Sequence, residues 1–263
     1  VEAPWNSRAA RDGPKNYHTI GGVKYLFVSD LHLEADAPQA VAAFTALLRG
    51  EARTATALYV LGDLFEAWVG DDDPDPLRDG VCREFAALAA SGVPVFVMQG
   101  NRDFLYGRGF EARSGATLLP DPCVATLGGE RILLTHGDLL CTGDHAYQEL
   151  RSTVRSDAFR ERVLALPLEA RQLLAGAARA GSKAHTARQR PEIMDVAPEA
   201  VVAAFRATGT RTMVHGHTHR PGDHAHDVDG GAARRIVLDA WYEHGSVLTL
   251  DGSGFARRPI DFA

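Results

Sequence analysis

Five short apolar runs in this chain each end on residues that bind metal ions or phosphates. The run 58–61 leads into Gly62-Asp63, and 25–28 leads into Ser29-Asp30-Leu31-His32. The run 93–98 leads into Gln99-Gly100-Asn101-Arg102-Asp103, and 132–134 into Thr135-His136-Gly137-Asp138. The run 212–214 leads into His215-Gly216-His217-Thr218-His219. Continuous apolar runs of this length read as strands buried on both faces, and α/β sheets bind ligands beyond the carboxyl ends of their strands. One Gly-Asp pair is an ordinary turn, and one His after a strand is more often packed than functional. Five such endings together point to one site assembled along one edge of a sheet.

The donors are Asp30, His32, Asp63, Asn101, His136, His215 and His217. They are oxygens and imidazoles without a thiolate, a set that suits Mn²⁺, Fe²⁺ or Zn²⁺ better than a structural zinc. Seven ligands are too many for one ion and fit two ions sharing a bridge. A carboxylate bridges where an imidazole does not, so Asp63 is the natural bridging group. Two such cations, roughly 3.5–4 Å apart, hold a hydroxide and clamp phosphate oxygens, and they make hydroxide available at neutral pH. Arg102 adds a charge-matched donor for the phosphate. The chemistry is hydrolysis of a phosphoester or phosphoanhydride, with Asp63, Asn101, Arg102 and His136 as catalytic candidates. Asp103 and Asp138 are read as orienting neighbouring ligands and loops. His219 could be a third ligand in its cluster, but alternating residues cannot all aim at one point, so a supporting or substrate role is favoured. His185, His224, His226 and His244 receive no functional role.

The elements that must position these residues follow from the rest of the chain. With 263 residues, 45% of them hydrophobic, it can bury a substantial core as one domain with an insertion. The net charge of -6 argues against nucleic-acid binding through a basic surface. Three scattered cysteines exclude a disulfide framework and fit a reducing cytoplasm, and neither a spanning segment nor a secretory signal is evident. Residues 1–22, broken by Pro4, Gly13, Pro14, Gly21 and Gly22, are expected to be a disordered extension, leaving 23–263 as the domain. Helices are predicted over 38–50, 77–90 and 198–208, a hairpin over 123–134, and further strands at 235–238, 246–250 and 255–260. Alternating strands and helices predict an α/β protein with a parallel layered sheet. The acidic stretch 70–76 reads as a solvated loop, the alternative being that it tunes a nearby cation site. Residues 143–190 carry no strand signal and are rich in Ala, Leu and Arg. Nine basic residues against three acidic ones within 151–190 suggest a helical insertion that meets an anionic partner, the alternative being a solvated helical face.

In this order, Asp30-Leu-His32, Gly62-Asp63, Gly100-Asn-Arg102, His136-Gly137 and Gly216-His-Thr-His219 resemble the calcineurin-like metallophosphoesterase superfamily. The resemblance implies a two-layered β-sandwich flanked by helices, with a dinuclear centre. Asp30, His32, Asp63 and His217 would hold one ion, and Asp63, Asn101, His136 and His215 the other. Within it, Leu61-Gly-Asp-Leu-Phe-Glu-Ala-Trp68, Gly70-Asp-Asp-Asp-Pro74 and Ile193-Met-Asp-Val196 are more particular. They are similar to the family of UDP-2,3-diacylglucosamine hydrolases, over nearly all of 24–262.

That closer resemblance implies Mn²⁺-dependent cleavage of a lipid-linked UDP-sugar, UDP-2,3-diacylglucosamine, in lipid A biosynthesis. The products would be UMP and 2,3-diacylglucosamine 1-phosphate, with attack at the phosphorus nearer uridine. It further implies two Mn²⁺ per chain and a monomer held peripherally on the cytoplasmic face of the inner membrane. The insertion at about 143–190 would be a helical lid. Leu150, Val154, Phe159, Val163, Leu164 and Leu166 would line an acyl groove there, with the arginines facing anionic headgroups. Matched substrate contacts are Asn101, Arg102, Asp144, Tyr147, Ser182 and His215. Thr186 and Gln189 stand where the family commonly has Asn and Lys, which removes one charge near the diphosphate or sugar; Arg188 or Arg190 could replace it. The competing readings are a phosphodiesterase acting on a soluble nucleotide and a non-catalytic scaffold. A greasy lid speaks against the first, and a full ligand set against the second.

Overall fold

The computed structural model describes residues 11–15, 22–186 and 195–262. In chain order the first half comprises β1 (Arg11–Lys15), β2 (Lys24–Val28), α1 (Pro38–Arg49), β3 (Ala57–Leu61), α2 (Pro76–Ala90), β4 (Val95–Met98), α3 (Arg108–Ser114), β5 (Thr117–Leu119), β6 (Cys123–Leu127) and β7 (Glu130–Leu134). Three helices form the insertion, α4 (His145–Val154), α5 (Asp157–Leu164) and α6 (Leu168–Thr186). The chain closes with α7 (Pro198–Thr208), β8 (Thr212–His215), β9 (Gly222–Val228), β10 (Gly231–Val237), β11 (His244–Asp251) and β12 (Gly254–Asp261).

These strands form two six-stranded sheets, ordered β12-β11-β2-β3-β4-β5 and β1-β6-β7-β8-β10-β9. The strands β2 to β5 run parallel, as their strand–helix alternation requires. Period-2 alternation divides the side chains between layers. Tyr25, Phe27, Tyr59, Leu61, Phe96 and Met98 face the second sheet and meet Ile132, Leu134, Val214 and Ile236. Leu26, Val28, Leu58, Val60, Val95 and Val97 face outward beneath Phe44, Leu47 and Leu48 of α1 and Phe85 and Leu88 of α2. The run in β3 is therefore apolar throughout because both of its faces are buried. Each such side chain contributes roughly 1.5–3 kcal/mol by leaving water. Asp75 starts α2 by accepting the Leu77 and Arg78 amides at 2.9 and 3.0 Å, with Pro76 in the first turn. On the far side, α7 covers the second sheet through Val201, Ala204 and Phe205. The β-sandwich flanked by helices is the architecture that the motifs implied.

Two expectations need correction. Arg11–Lys15, inside the stretch expected to be disordered, pairs in parallel with β6 as an edge strand; the rest of 1–21 lies outside the described residues. The acidic loop is only partly solvated. Asp71 accepts the Gly107 and Gly109 amides and Trp68 Nε1. Asp72 pairs with Arg171 of α6, Asp73 pairs with Arg78, and Asp75 caps α2. Its acidity answers specific donors, among them Arg171 from the insertion.

Candidate metal centre

The carboxyl ends of β2, β3 and β4 in one sheet and of β7 and β8 in the other converge on one place. The site thus lies where the edges of two sheets meet, rather than along one. Its backbone is unusual. Among the described residues six non-glycines have positive φ, and five of them are Asp30, His32, Asp63, His217 and His219. Asp and His tolerate this left-handed region better than most residues, yet such strain costs on the order of 1 kcal/mol each and clusters where a site requires it. Backbone bonds between the loops hold it in place: Asp30 N to Gly62 O, His32 N to Asp63 O and Trp241 N to Asp30 O, each 3.0 Å.

Two groups of donors form there. Asp30, His32 and His219 each offer a ligand atom within 4.8 Å of the others, and so do Asp30, Asp63 and His136. Asp63 reaches both sides: its Oδ2 lies 3.8 Å from His32 Nε2 and its Oδ1 3.8 Å from His136 Nε2. That is a bridging posture. Asn101 Oδ1 lies 2.9 Å from His136 Nε2 and 3.0 Å from His217 Nδ1, which puts both imidazoles beside this carboxamide. Gly100 packs so tightly on Asp63 that a methyl group on its Cα would overlap Asp63 Oδ1 and the Asp63 amide.

The electrostatics fit divalent cations. Burial works against a charged His136, but Asp63, Asp138 and Asp30 overcome it and push the imidazole up to about 9. Burial would raise the Asp30 carboxyl, yet His219, His136 and His32 hold it well below the usual range. The cluster thus draws positive charge inward, and two buried carboxylates among imidazoles are a donor set that a cation satisfies better than protons do. Burial and neighbouring His136 lower His217 to about 4, which keeps it neutral.

His215 stands apart from the other candidates. Its Nδ1 bonds to Gly216 O at 2.8 Å and its Nε2 lies 3.1 Å from Arg235 Nη1, so the structure does not bring its ring nitrogens into either group. Burial and Arg235 lower it to about 3, which keeps it neutral. His219, given only a supporting role from sequence, lies 3.4 Å from Asp30 Oδ1 and 3.3 Å from His32 Nε2. It belongs with the ligand candidates. The left-handed turns at His217 and His219 break the alternation that argued against it.

Among the expected substrate contacts, Arg102 reaches Ser182 Oγ of α6 at 3.5 Å, and its Nε is buried with no hydrogen-bond partner among the described residues. Such a donor is ready for an anion. Tyr147 stacks on His217 with ring centroids 5.9 Å apart and donates to Asp138 at 2.8 Å. Asp144 caps α4 by accepting the Tyr147 amide at 3.0 Å. The side chains of Thr186, Arg188, Gln189 and Arg190 lie outside the described residues.

Asp103 performs the expected orienting task. Its Oδ1 accepts the Gly100 amide at 2.7 Å; its Oδ2 accepts the Leu64 amide and the Tyr106 hydroxyl, each at 2.7 Å. It joins the loops after β3 and β4. Asn there keeps one acceptor oxygen, stranding a buried amide on one side or the other. Asp103→Asn is expected to cost about 1–3 kcal/mol, read as a lower urea midpoint.

The arginines of the insertion correct another expectation. Arg151 bonds to Asp138 and Asp121, Arg155 to the carbonyls of Gln99 and Gly100, and Arg160 to Tyr106 O. Arg171 bonds to Val69 O and Asp72, and Arg179 pairs with Glu34 and Glu66. These five turn inward and dock the insertion over the site, so they do not face headgroups. Five leucines face outward, Leu150, Leu164, Leu166, Leu173 and Leu174, among exposed polar residues such as Glu161, Arg162 and Gln172. Val154, Phe159 and Val163 are half-buried. Gly70, at φ 142°, leaves room for the Arg171 guanidinium, which a methyl group would overlap. Gly70→Ala combines that clash with backbone strain of roughly 1–3 kcal/mol. It is expected to speed protease cleavage within 143–190 by about tenfold while cleavage elsewhere stays slow.

Comparison with known proteins agrees with this geometry. The calcineurin-like phosphoesterase family matches residues 23–221. A UDP-2,3-diacylglucosamine hydrolase of Pseudomonas putida is 48% identical over 238 residues, 90% of this chain and 99% of that protein. One from Aeromonas hydrophila is 52% identical over 85% of this chain and 92% of its own length. One from Pseudomonas aeruginosa is 47% identical over 89% and 98%.

Proposed function

From the premise that the chain belongs to the calcineurin-like phosphoesterases, and within them to the UDP-2,3-diacylglucosamine hydrolase family, we propose that it cleaves the diphosphate of UDP-2,3-diacylglucosamine in lipid A biosynthesis. The products are UMP and 2,3-diacylglucosamine 1-phosphate. The observation that carries this reading is 48% identity extending across 99% of a named hydrolase. The buried donor groups around Asp30 and Asp63 support it independently.

Two Mn²⁺ ions are the proposed cofactor, held by Asp30, His32, Asp63, Asn101, His136 and His217, with His219 available and His215 able to join by turning its ring. When bound, such ions supply a water of lowered pKa and a clamp on the phosphoryl oxygens. The side chains do the rest. Asp63 presents one oxygen to each half of the site. Asn101 aligns His136 and His217, and Asp103 holds the Gly100 and Leu64 amides so that these ligands stay in register. Arg102, with its unpartnered Nε, takes a phosphoryl oxygen and neutralises charge as it develops. Burial under the insertion excludes bulk water and strengthens each of these interactions.

The exposed leucines of the insertion support an acyl-chain and bilayer contact, with the chain peripheral on the cytoplasmic face of the inner membrane. No helix among the described residues is long and apolar enough to cross a membrane. All ligand candidates come from one chain, so a monomer suffices. Hydrolysis in ¹⁸O-water tests the attacked phosphorus. Label in UMP is expected; label in the sugar phosphate would place the attack on the other phosphorus.

A further inference from the structure

We propose that Glu66 is a positioning residue that ties the insertion to the metal centre, one carboxylate oxygen orienting His32 and the other held by Arg179 of α6. The inference rests on the metal reading above. Glu66 follows β3 and is buried. Its Oε2 lies 2.8 Å from His32 Nδ1. A carboxylate there makes Nδ1 the protonated nitrogen and leaves the Nε2 lone pair facing Asp63 Oδ2, where a cation would sit. Carboxylate partners of this kind fix both tautomer and ring direction in metal-bound histidines. The second oxygen, Oε1, lies 2.8 Å from Arg179 Nε and 4.0 Å from Arg102 Nη1. Arg179 is also 2.6 Å from Glu34 Oε2. Among the described residues it pairs with Glu34 and Glu66 and with none of the ligand candidates, so its direct tie to the His32 imidazole runs through Glu66. Lifting α6 would withdraw Arg179, free one side of Glu66 and loosen His32. Docking of the insertion and metal affinity are therefore coupled.

The test is Mn²⁺ titration of the chelator-treated chain, with free Mn²⁺ read by electron paramagnetic resonance. Glu66→Gln is expected to weaken binding by about ten- to a hundredfold. Arg179→Ala, remote from the ions, is expected to weaken it by a smaller factor. The double variant should bind no more weakly than Glu66→Gln alone. Wild-type affinity in Arg179→Ala, or losses that simply multiply, would overturn the coupling. Arg179 is partly exposed, so this variant keeps its fold and decides the matter even if Glu66→Gln does not fold. A wild-type chain that takes up no Mn²⁺ would defeat the metal reading and, with it, this inference.

Discussion

Asp63→Ala is expected to lower turnover by on the order of 10³-fold or more, the largest effect of any single change. Asp63 is the one side chain whose two oxygens face His32 and His136 on opposite sides, each at 3.8 Å. On the two-ion proposal, removing it would take a ligand from both halves of the site at once. If two-ion charge stabilisation is worth several kcal/mol, its loss corresponds to at least three factors of ten in rate. Mn²⁺ uptake should fall in parallel, because the two positions lose their shared anion. Gly100→Ala provides a steric counterpart: it leaves every ligand in the sequence but drives a methyl group into Asp63 Oδ1. Steady-state turnover, together with metal content by elemental analysis, checks both variants. Near-normal activity in Asp63→Ala would remove the bridging role.

Asp138→Ala is expected to be the most destabilising single change, by about 3–5 kcal/mol. Asp138 is fully buried. Its Oδ2 accepts from Arg151 Nε and the Tyr147 hydroxyl, both at 2.8 Å, with Arg155 Nη2 at 3.8 Å. Burial alone would raise this carboxyl, but Arg151, His136 and Arg155 hold it far below its ordinary value. Without it, Arg151 keeps Asp121 while Arg155 and Tyr147 lose their anion in a dry setting. The insertion should then separate from the core at α4. Chemical denaturation gives the magnitude, and faster proteolysis within 143–190 locates the loss. A change below about 1 kcal/mol would mean that water reaches this network freely.

Much of the site was legible in the sequence because an apolar strand that ends on Asp, Asn or His leaves a clear trace. Six of the seven predicted ligands enter or adjoin the two donor groups for that reason. His219 was not legible, since its place depends on left-handed turns that side-chain type alone does not reveal. His215 shows the opposite limit: the motif is present, and the sequence does not reveal that Arg235 on neighbouring β10 lies 3.1 Å from its Nε2. The strand β9 escaped prediction because Gly222–Val228 is an edge strand with mostly exposed polar side chains. The short helix α3 offers only seven residues of pattern. The insertion showed itself by its composition, but the direction of its arginines did not. Charge content cannot distinguish Arg171 reaching back to Asp72 from an arginine facing solvent. The acidic loop failed for a similar reason: Asp72 is the other half of the Arg171 pair, and Asp71, Asp73 and Asp75 find partners on nearby loops and α2.

The most direct measurement is product analysis of UDP-2,3-diacylglucosamine in detergent, with Mn²⁺ and after chelation. The expected result is Mn²⁺-dependent release of UMP and 2,3-diacylglucosamine 1-phosphate, abolished by chelator and restored by added metal. No release from the lipid substrate, alongside Mn²⁺-dependent cleavage of a soluble nucleotide diester, would contradict the lipid assignment.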